Sequence, residues 1–438
     1  MKLLKGEIKK SFLVFFIVGA AALILPLSAY AGAMQDLKDF FGLQDWKGFE
    51  ADLGPVKIKP TLQAYSEFNS NLNLKSDHPE NGMVYHVTPG FTVQVPLDRL
   101  YVETGADIGY VVVDGNDTHT QAWTGSGRGI IRYDLTESTS VGLKELYSRG
   151  YTYAIVDDNR YDDESTYFDA KHQFGPRLAL ALGFNRERYE THIKNGYPLP
   201  FTDFHDLGGN ITLDYKLTPT TNLSLNGYGG KRSYLSYNEK DYNKRGGSLT
   251  ISQNITPHIN FGINLGYDYR DYKFSADNRE ITYGSNVDFI LSNFSKLSFT
   301  YNYGVYDTLY PRSSDALPTP FDNDQTLNYE LFEEYRYMDV DHYGLYWTQN
   351  LSDKDTLIVG GEYMKSHSGG SNALTIPGDT YLLSEELKEY GYYGGINYAH
   401  RFLSWLSFRL GGSYGARTSN VREKYDYYTA NGGLAFSY

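Results

Sequence analysis

The sequence predicts an all-β chain that closes into an antiparallel up-and-down transmembrane barrel of about 18 strands. Three observations predict it. Segments of strand length alternate apolar and polar residues from Val56 to the end of the chain. The connections between them alternate short and long. The final segment, Tyr425 to Tyr438, ends on an alternating run in which Leu434, Phe436 and Tyr438 face away from Gly433, Ala435 and Ser437. A terminal strand must pair both of its edges, and the first strand is the partner that closes the sheet.

The N-terminus is expected to lie outside that fold. Lys2, Lys5, Lys9 and Lys10 make a basic start, Phe12 to Leu25 is an apolar run ending at Pro26, and Ala29-Tyr30-Ala31 supplies a small-x-small cleavage pattern. Residues 1–31 therefore read as a secretory signal peptide. The apolar run is shorter than the ~20 residues that a spanning helix needs. Residues 32–55 read as a periplasmic N-terminal lead-in. Within it Met34 to Phe41 suits a short amphipathic helix or a disordered stretch, and Phe40, Phe41 and Trp46 are candidates to pack in the barrel mouth.

Residues 56–438 form the barrel. Strands are expected near 56–69, 83–95, 100–113, 119–134, 140–153, 165–174, 177–190, 204–217 and 221–235. They continue near 242–255, 258–275, 280–292, 296–310, 335–350, 355–367, 389–400, 403–418 and 425–438. Alternation justifies most of them directly. Phe261, Ile263, Leu265 and Tyr267 interleave with Gly262, Asn264, Gly266 and Asp268, and Leu297, Phe299, Tyr301 and Tyr303 with Ser298, Thr300, Asn302 and Gly304. Tyr85, Val87, Phe91 and Val93 oppose His86, Thr88, Thr92 and Gln94. The strand from Val141 breaks rhythm at Glu145-Leu146, where a bulge is expected to restore it. Every second connection is short, as in Leu135-Thr136-Glu137-Ser138-Thr139 and Ile255-Thr256-Pro257-His258, while 70–82, 154–164, 191–203, 311–334 and 368–388 are long. Tight turns at one rim and long loops at the other are what such a barrel requires. Loops 311–334 and 368–388 are the candidates to fold inward and narrow the pore. Propellers and solenoids share the many strands but predict neither this alternation nor strands of spanning length.

Composition agrees. The chain has no cysteine, which excludes a lipoprotein anchor, disulfides and cysteine-ligated metal. Its formal net charge of −13 argues against nucleic acid as a partner. The 42 tyrosines suit aromatic girdles at two membrane–water boundaries. A mean hydropathy of −0.48 is compatible, because only alternate residues of a barrel face lipid.

The first hairpins carry a likeness. Gly54-Pro55-Val56-Lys57-Ile58-Lys59-Pro60-Thr61-Leu62 is followed by Tyr65 and Asn69-Ser70-Asn71, then by Val87-Thr88-Pro89-Gly90-Phe91. This text resembles the beta-barrel porin 2 family of outer-membrane proteins. The likeness is legible as text over residues 54–91 and as a pattern over most of the barrel. It implies a pore in the outer membrane of a Gram-negative bacterium, sometimes linked with exopolysaccharide export, and it implies no catalytic or binding residues.

If the apolar parity faces lipid, the other parity lines the lumen. The candidate channel-lining residues are Lys57, Lys59, Glu67, Glu103, Asp107, Arg128, Arg132, Asp214, Arg232, Asp268, Arg270, Asp288, Glu362 and Arg409. Ionisable groups at membrane depth belong in water or in pairs. Both signs are present, which suits polar solutes; an unbroken arginine ladder would have favoured an anionic polysaccharide. Girdle positions are expected for Trp347 and Trp405, and Trp123 is open between girdle and lumen. Asp114-Gly115-Asn116-Asp117, Asp157-Asp158-Asn159 with Asp162-Asp163-Glu164, and Asp322-Asn323-Asp324 are expected in outer loops as solvated turns, since none completes a calcium loop. No metal or other cofactor is expected. No nucleophile elbow, phosphate loop or metal-binding histidine spacing appears, so an enzyme is not expected.

The function expected is passage of polar solutes through an outer-membrane porin or channel. The alternatives are an exopolysaccharide export conduit, or a structural barrel holding a periplasmic or electron-transfer partner. Expected partners are outer-membrane lipid and lipopolysaccharide, the barrel-assembly machinery through the C-terminal strand, and, for a conduit, polysaccharide export partners.

Overall fold

The computed structural model describes residues 51–53, 55–72, 79–116, 119–152, 159–192, 203–235, 241–273, 277–307, 337–368, 387–420 and 424–437. A three-residue strand, β1 (Ala51–Leu53), lies in the stretch expected as lead-in. The long strands are β2 (Val56–Asn69), β3 (Gly82–Pro96), β4 (Leu100–Gly115), β5 (His119–Thr136), β6 (Thr139–Thr152), β7 (Asn159–Gln173), β8 (Leu178–His192), β9 (Phe204–Thr218) and β10 (Thr221–Tyr234). The second half holds β11 (Tyr242–Thr256), β12 (Ile259–Tyr272), β13 (Asn278–Ser292), β14 (Ser295–Asp307), β15 (Tyr337–Asn350), β16 (Asp355–Ser368), β17 (Leu387–Leu403), β18 (Leu406–Ser419) and β19 (Tyr425–Ser437).

Each long strand pairs antiparallel with the next, and β19 pairs with β2, so the eighteen long strands form one closed ring. Closure runs from Thr429 opposite Asn69 to Ser437 opposite Thr61, with Leu434 against Ala64 and Phe436 against Leu62. Tyr438 lies outside the described residues. At this seam a Cβ on Gly433 would collide with the Cβ of Tyr65, which accounts for glycine on the inner face there. Eight short connections, such as the two residues between β9 and β10, lie at one rim. In the turn after β7, Gly175 takes a φ of 154°, a conformation that side chains disfavour.

In a closed sheet one parity points inward and the other outward. The outward parity carries the exposed apolar side chains: Phe91, Ile108, Ile131, Phe168, Leu182, Ile211, Leu225, Leu265, Ile281, Leu345, Ile396 and Leu410 are all at least 40% exposed. The inward parity carries most of the buried polar groups, among them Glu67, Glu103, Asp206, Arg232, Asp268, Arg270, Glu362, Glu389 and Arg417. The sheet is greasy outside and polar within. Ring-on-ring contacts band the outer face, with Tyr283 against Tyr303 at 4.9 Å, Tyr301 against Tyr343 at 4.7 Å and Tyr363 against Tyr392 at 5.2 Å. Trp123 belongs to this face, packed on Tyr110 at 4.8 Å. Trp347 shares it, and Trp405, in the turn before β18, stacks on Phe436 at 6.0 Å.

Three expectations need correction or restriction. No bulge exists at Glu145-Leu146: β6 keeps register with β5 and β7 through both residues, so Glu145 faces out and Leu146 faces in. Asp162-Asp163-Glu164 is not loop but strand, because Arg149 and Arg188 stand near it on the neighbouring strands. Residues 1–50, 308–336 and 369–386 lie outside the described residues, and with them the signal peptide, most of the lead-in and the two loops expected to fold inward.

Candidate functional site

The inner wall is where this fold gathers its chemistry. Strand register places all fourteen charged candidates on the inward parity. Lys57, Lys59 and Glu67 come from β2, Glu103 and Asp107 from β4, Arg128 and Arg132 from β5, and Asp214 from β9. Arg232 comes from β10, Asp268 and Arg270 from β12, Asp288 from β13, Glu362 from β16 and Arg409 from β18.

The wall has two zones. Toward the rim of long loops its polar groups are buried and paired. Asp206, 1% exposed, accepts hydrogen bonds from Arg232 Nε and Lys244 Nζ, both at 2.9 Å. The Arg232 guanidinium also lies over the Phe204 ring, 4.1 Å from its centroid. The motif repeats two strands on, where Arg270 reaches Asp268 at 3.2 Å and lies 5.4 Å from the Tyr242 centroid. It recurs where Arg417 meets Glu389 at 2.5 Å and lies 5.6 Å from the centroid of Tyr425. A planar guanidinium serves both partners at once, one by its edge and one by its face. Mid-wall, Glu362 accepts hydrogen bonds from the Tyr346 hydroxyl and from His342 Nε2, the latter at 3.0 Å. An apolar patch of Leu72, Val84, Val111 and Val113 interrupts the polar wall.

Toward the short turns the wall is more open. Arg128, half-exposed, binds Glu103 at 2.8 Å and Thr92 Oγ1 at 3.1 Å. Glu103 also accepts from Gln94 at 2.8 Å and from the Tyr101 hydroxyl. Asp107 holds the backbone N–H of Ser126 at 3.1 Å, Arg132 reaches Asp134 at 3.2 Å, and Lys296 reaches Asp288 at 3.0 Å. Lys57, Lys59, Asp214 and Arg409 make no ion pair among the described residues. Tyr65 stacks on His86 at 4.2 Å on this same inward face.

Some of the candidates pair with one another and others with residues outside the set. Glu103 with Arg128 and Asp268 with Arg270 are mutual pairs. Arg232, Asp288 and Glu362 bind residues that sequence reasoning did not single out: Asp206, Lys296, Tyr346 and His342. Asp206 was within reach, since it shares parity with Asp214 on one strand; its pairing with Arg232 and Lys244 was not, because pairing depends on register between strands. Chemically, the wall offers fixed charges of both signs and hydroxyls to a polar solute. Among the described residues no cluster of three acidic or histidine side chains is placed to hold a metal ion.

No protein-family model matches the sequence, and no curated protein matches it. Solved structures do share its architecture. OpdK of Pseudomonas aeruginosa, crystallised with vanillate, is 12% identical with a TM-score of 0.52, over 87% of this chain and 99% of that one. OccAB4 of Acinetobacter baumannii is 13% identical with a TM-score of 0.51, over 88% of this chain and 99% of that one. At such identities the likeness is one of fold, and the fold it shows is the closed eighteen-stranded antiparallel barrel.

Proposed function

We propose that this chain is an outer-membrane channel that passes polar solutes, a porin rather than an enzyme. One observation carries the reading: around a single closed ring, the outward parity is apolar and the inward parity carries charge. Only a barrel set in lipid with water inside satisfies both faces. Its location is then the outer membrane of a Gram-negative bacterium, with lipid and lipopolysaccharide around it and the barrel-assembly machinery engaging its C-terminal strand. The resemblance of residues 54–91 to the beta-barrel porin 2 family and the likeness to solved channels support the same reading. The paired charges favour a solute that meets both signs over a uniform polyanion.

Purified protein reconstituted into a planar bilayer tests this. A stable stepwise ionic current supports a channel, and silence from correctly folded protein overturns it in favour of a barrel filled by a partner. Exopolysaccharide export is a second reading, favoured by the inward rings Tyr189, Phe204 and Tyr234, which neighbour one another at 5.9 and 5.8 Å. Blockade of the current by oligosaccharides, but not by amino acids or small organic acids, would move the assignment there.

A further inference from the structure

The apolar belt on the outer face is broken over β6, β7 and β8 by charges that begin close to the short-turn rim. Outward residues there run Val141, Leu143, Glu145, Tyr147, Arg149 on β6, and Ala170, Phe168, Thr166, Glu164, Asp162 on β7. On β8 they run Leu182, Phe184, Arg186, Arg188, Glu190. Charge begins at Glu145, only the seventh residue from the short-turn rim, whereas on β4 the ninth residue, Ile108, is apolar and 61% exposed. On β9, Leu207 stands directly opposite Arg186 and is 49% exposed. Above the break the charges pair, Arg149 with Asp162 at 2.7 Å and Arg188 with Glu190 at 2.6 Å. Among the described residues, Glu145 and Arg186 make neither an ion pair nor a hydrogen bond. Beside them β5 turns three glycines outward, Gly125, Gly127 and Gly129, and a Cβ added at Gly127 or Gly129 would meet no atom within 4 Å. A shallow trough therefore flanks the charges.

Acyl chains solvate neither a carboxylate nor a guanidinium. An anionic lipid headgroup would call for surplus cation. Here four carboxylates (Glu145, Asp162, Glu164, Glu190) face three guanidiniums (Arg149, Arg186, Arg188). The order of residues identifies the occupant. One row across the strands reads Gly129, Glu145, Thr166, Arg186, Leu207. A two-fold axis along the membrane normal at Thr166 brings the left of this row against the right of its copy. Glu145 then meets the copy's Arg186, and the trough at Gly129 receives the copy's Leu207. Glu145 and Arg186 each lie one strand, about 4.8 Å, from the axis strand, so both crossings are within side-chain reach.

We infer that β5–β9 form the interface of a symmetric homodimer of this chain in the membrane, closed by reciprocal Glu145–Arg186 pairs. The inference goes beyond the proposed function and rests only on the outer face meeting lipid. The test uses the full chain in its native membrane. The chain has no cysteine, so Thr166→Cys is the single thiol, placed at the axis. Oxidation is expected to convert the folded protein to a covalent dimer, while Leu265→Cys, on a distant strand, stays monomeric. In mild detergent the wild type is expected to run as a dimer by native mass spectrometry. Glu145→Arg and Arg186→Glu are each expected to run as monomers that retain heat-modifiable mobility, and the double swap as a dimer again. Failure of Thr166→Cys to crosslink, crosslinking to a different protein, or bound lipopolysaccharide that is lost in Arg186→Glu would each overturn the inference. If the double swap cannot fold, the Thr166→Cys crosslink alone decides.

Discussion

Asp206 and Arg232 meet at 2.9 Å across β9 and β10, on the inner wall and almost wholly out of solvent. Lys244 from β11 closes on the same carboxylate oxygen, so one acid ties three consecutive strands together inside the barrel. Such a pair contributes less through its own attraction than through the penalty for breaking it, because removing one partner strands a buried charge.

That asymmetry sets the first expectation. Asp206→Ala, which leaves two cations facing each other, should lower folding stability by about 3 kcal/mol in a lipid-vesicle unfolding experiment. Asp206→Ala with Arg232→Met should lose less than the single change, and a strictly additive result would show that the two do not interact.

Ring closure predicts a crosslink. Ala64 and Leu434 face each other on the outer side of the β2–β19 seam. Opposed antiparallel residues lie about 5 Å apart at Cα, inside the range a disulfide spans. The double variant Ala64→Cys, Leu434→Cys should oxidise within one chain. It should then keep its folded gel mobility after boiling in detergent better than its reduced form does.

The two faces should differ in what they tolerate. Leu265 faces out and is 53% exposed, while Asn264 faces in and donates to Thr250 at 2.7 Å. Leu265→Arg near the middle of the belt should cost about 3 kcal/mol of folding stability in bilayers. Asn264→Arg should fold with little loss. Equal penalties would remove the assignment of faces.

Open charge near the short turns should set ion preference. Lys57 and Lys59 share the inward face of β2 and have no anionic partner among the described residues. Replacing both by glutamate should shift the reversal potential in a potassium chloride gradient toward cations, with single-channel conductance still measurable. An unchanged reversal potential would place these lysines off the conduction path.

Much of this architecture was legible in the residues. Period-2 alternation marks Phe261 to Tyr267 and Leu297 to Tyr303 without ambiguity, and the spacing of turns fixes how they connect. Two features misled for one physical reason. Asp162-Asp163-Glu164 has the composition of a loop, and Glu145 falls where the outward face should be apolar, so alternation fails at both. Strand pairing prevails over alternation there, holding Glu145 in line between Gly129 and Thr166. The ionic partners on the inner wall were hidden for another reason. Composition gives each strand's inward residues, but whether Arg232 meets Asp206 or Asn210 depends on register, which no single strand encodes.

The alternation of faces is measured most directly by spin labelling. Single cysteines placed in turn at residues 261 to 268 of β12 would carry a nitroxide in reconstituted vesicles. Accessibility to oxygen, which concentrates in lipid, should peak at 261, 263, 265 and 267. Accessibility to a water-soluble nickel chelate should peak at 262, 264, 266 and 268. The opposite phase, or a profile without a two-residue period, would contradict a barrel that meets lipid outside and water within.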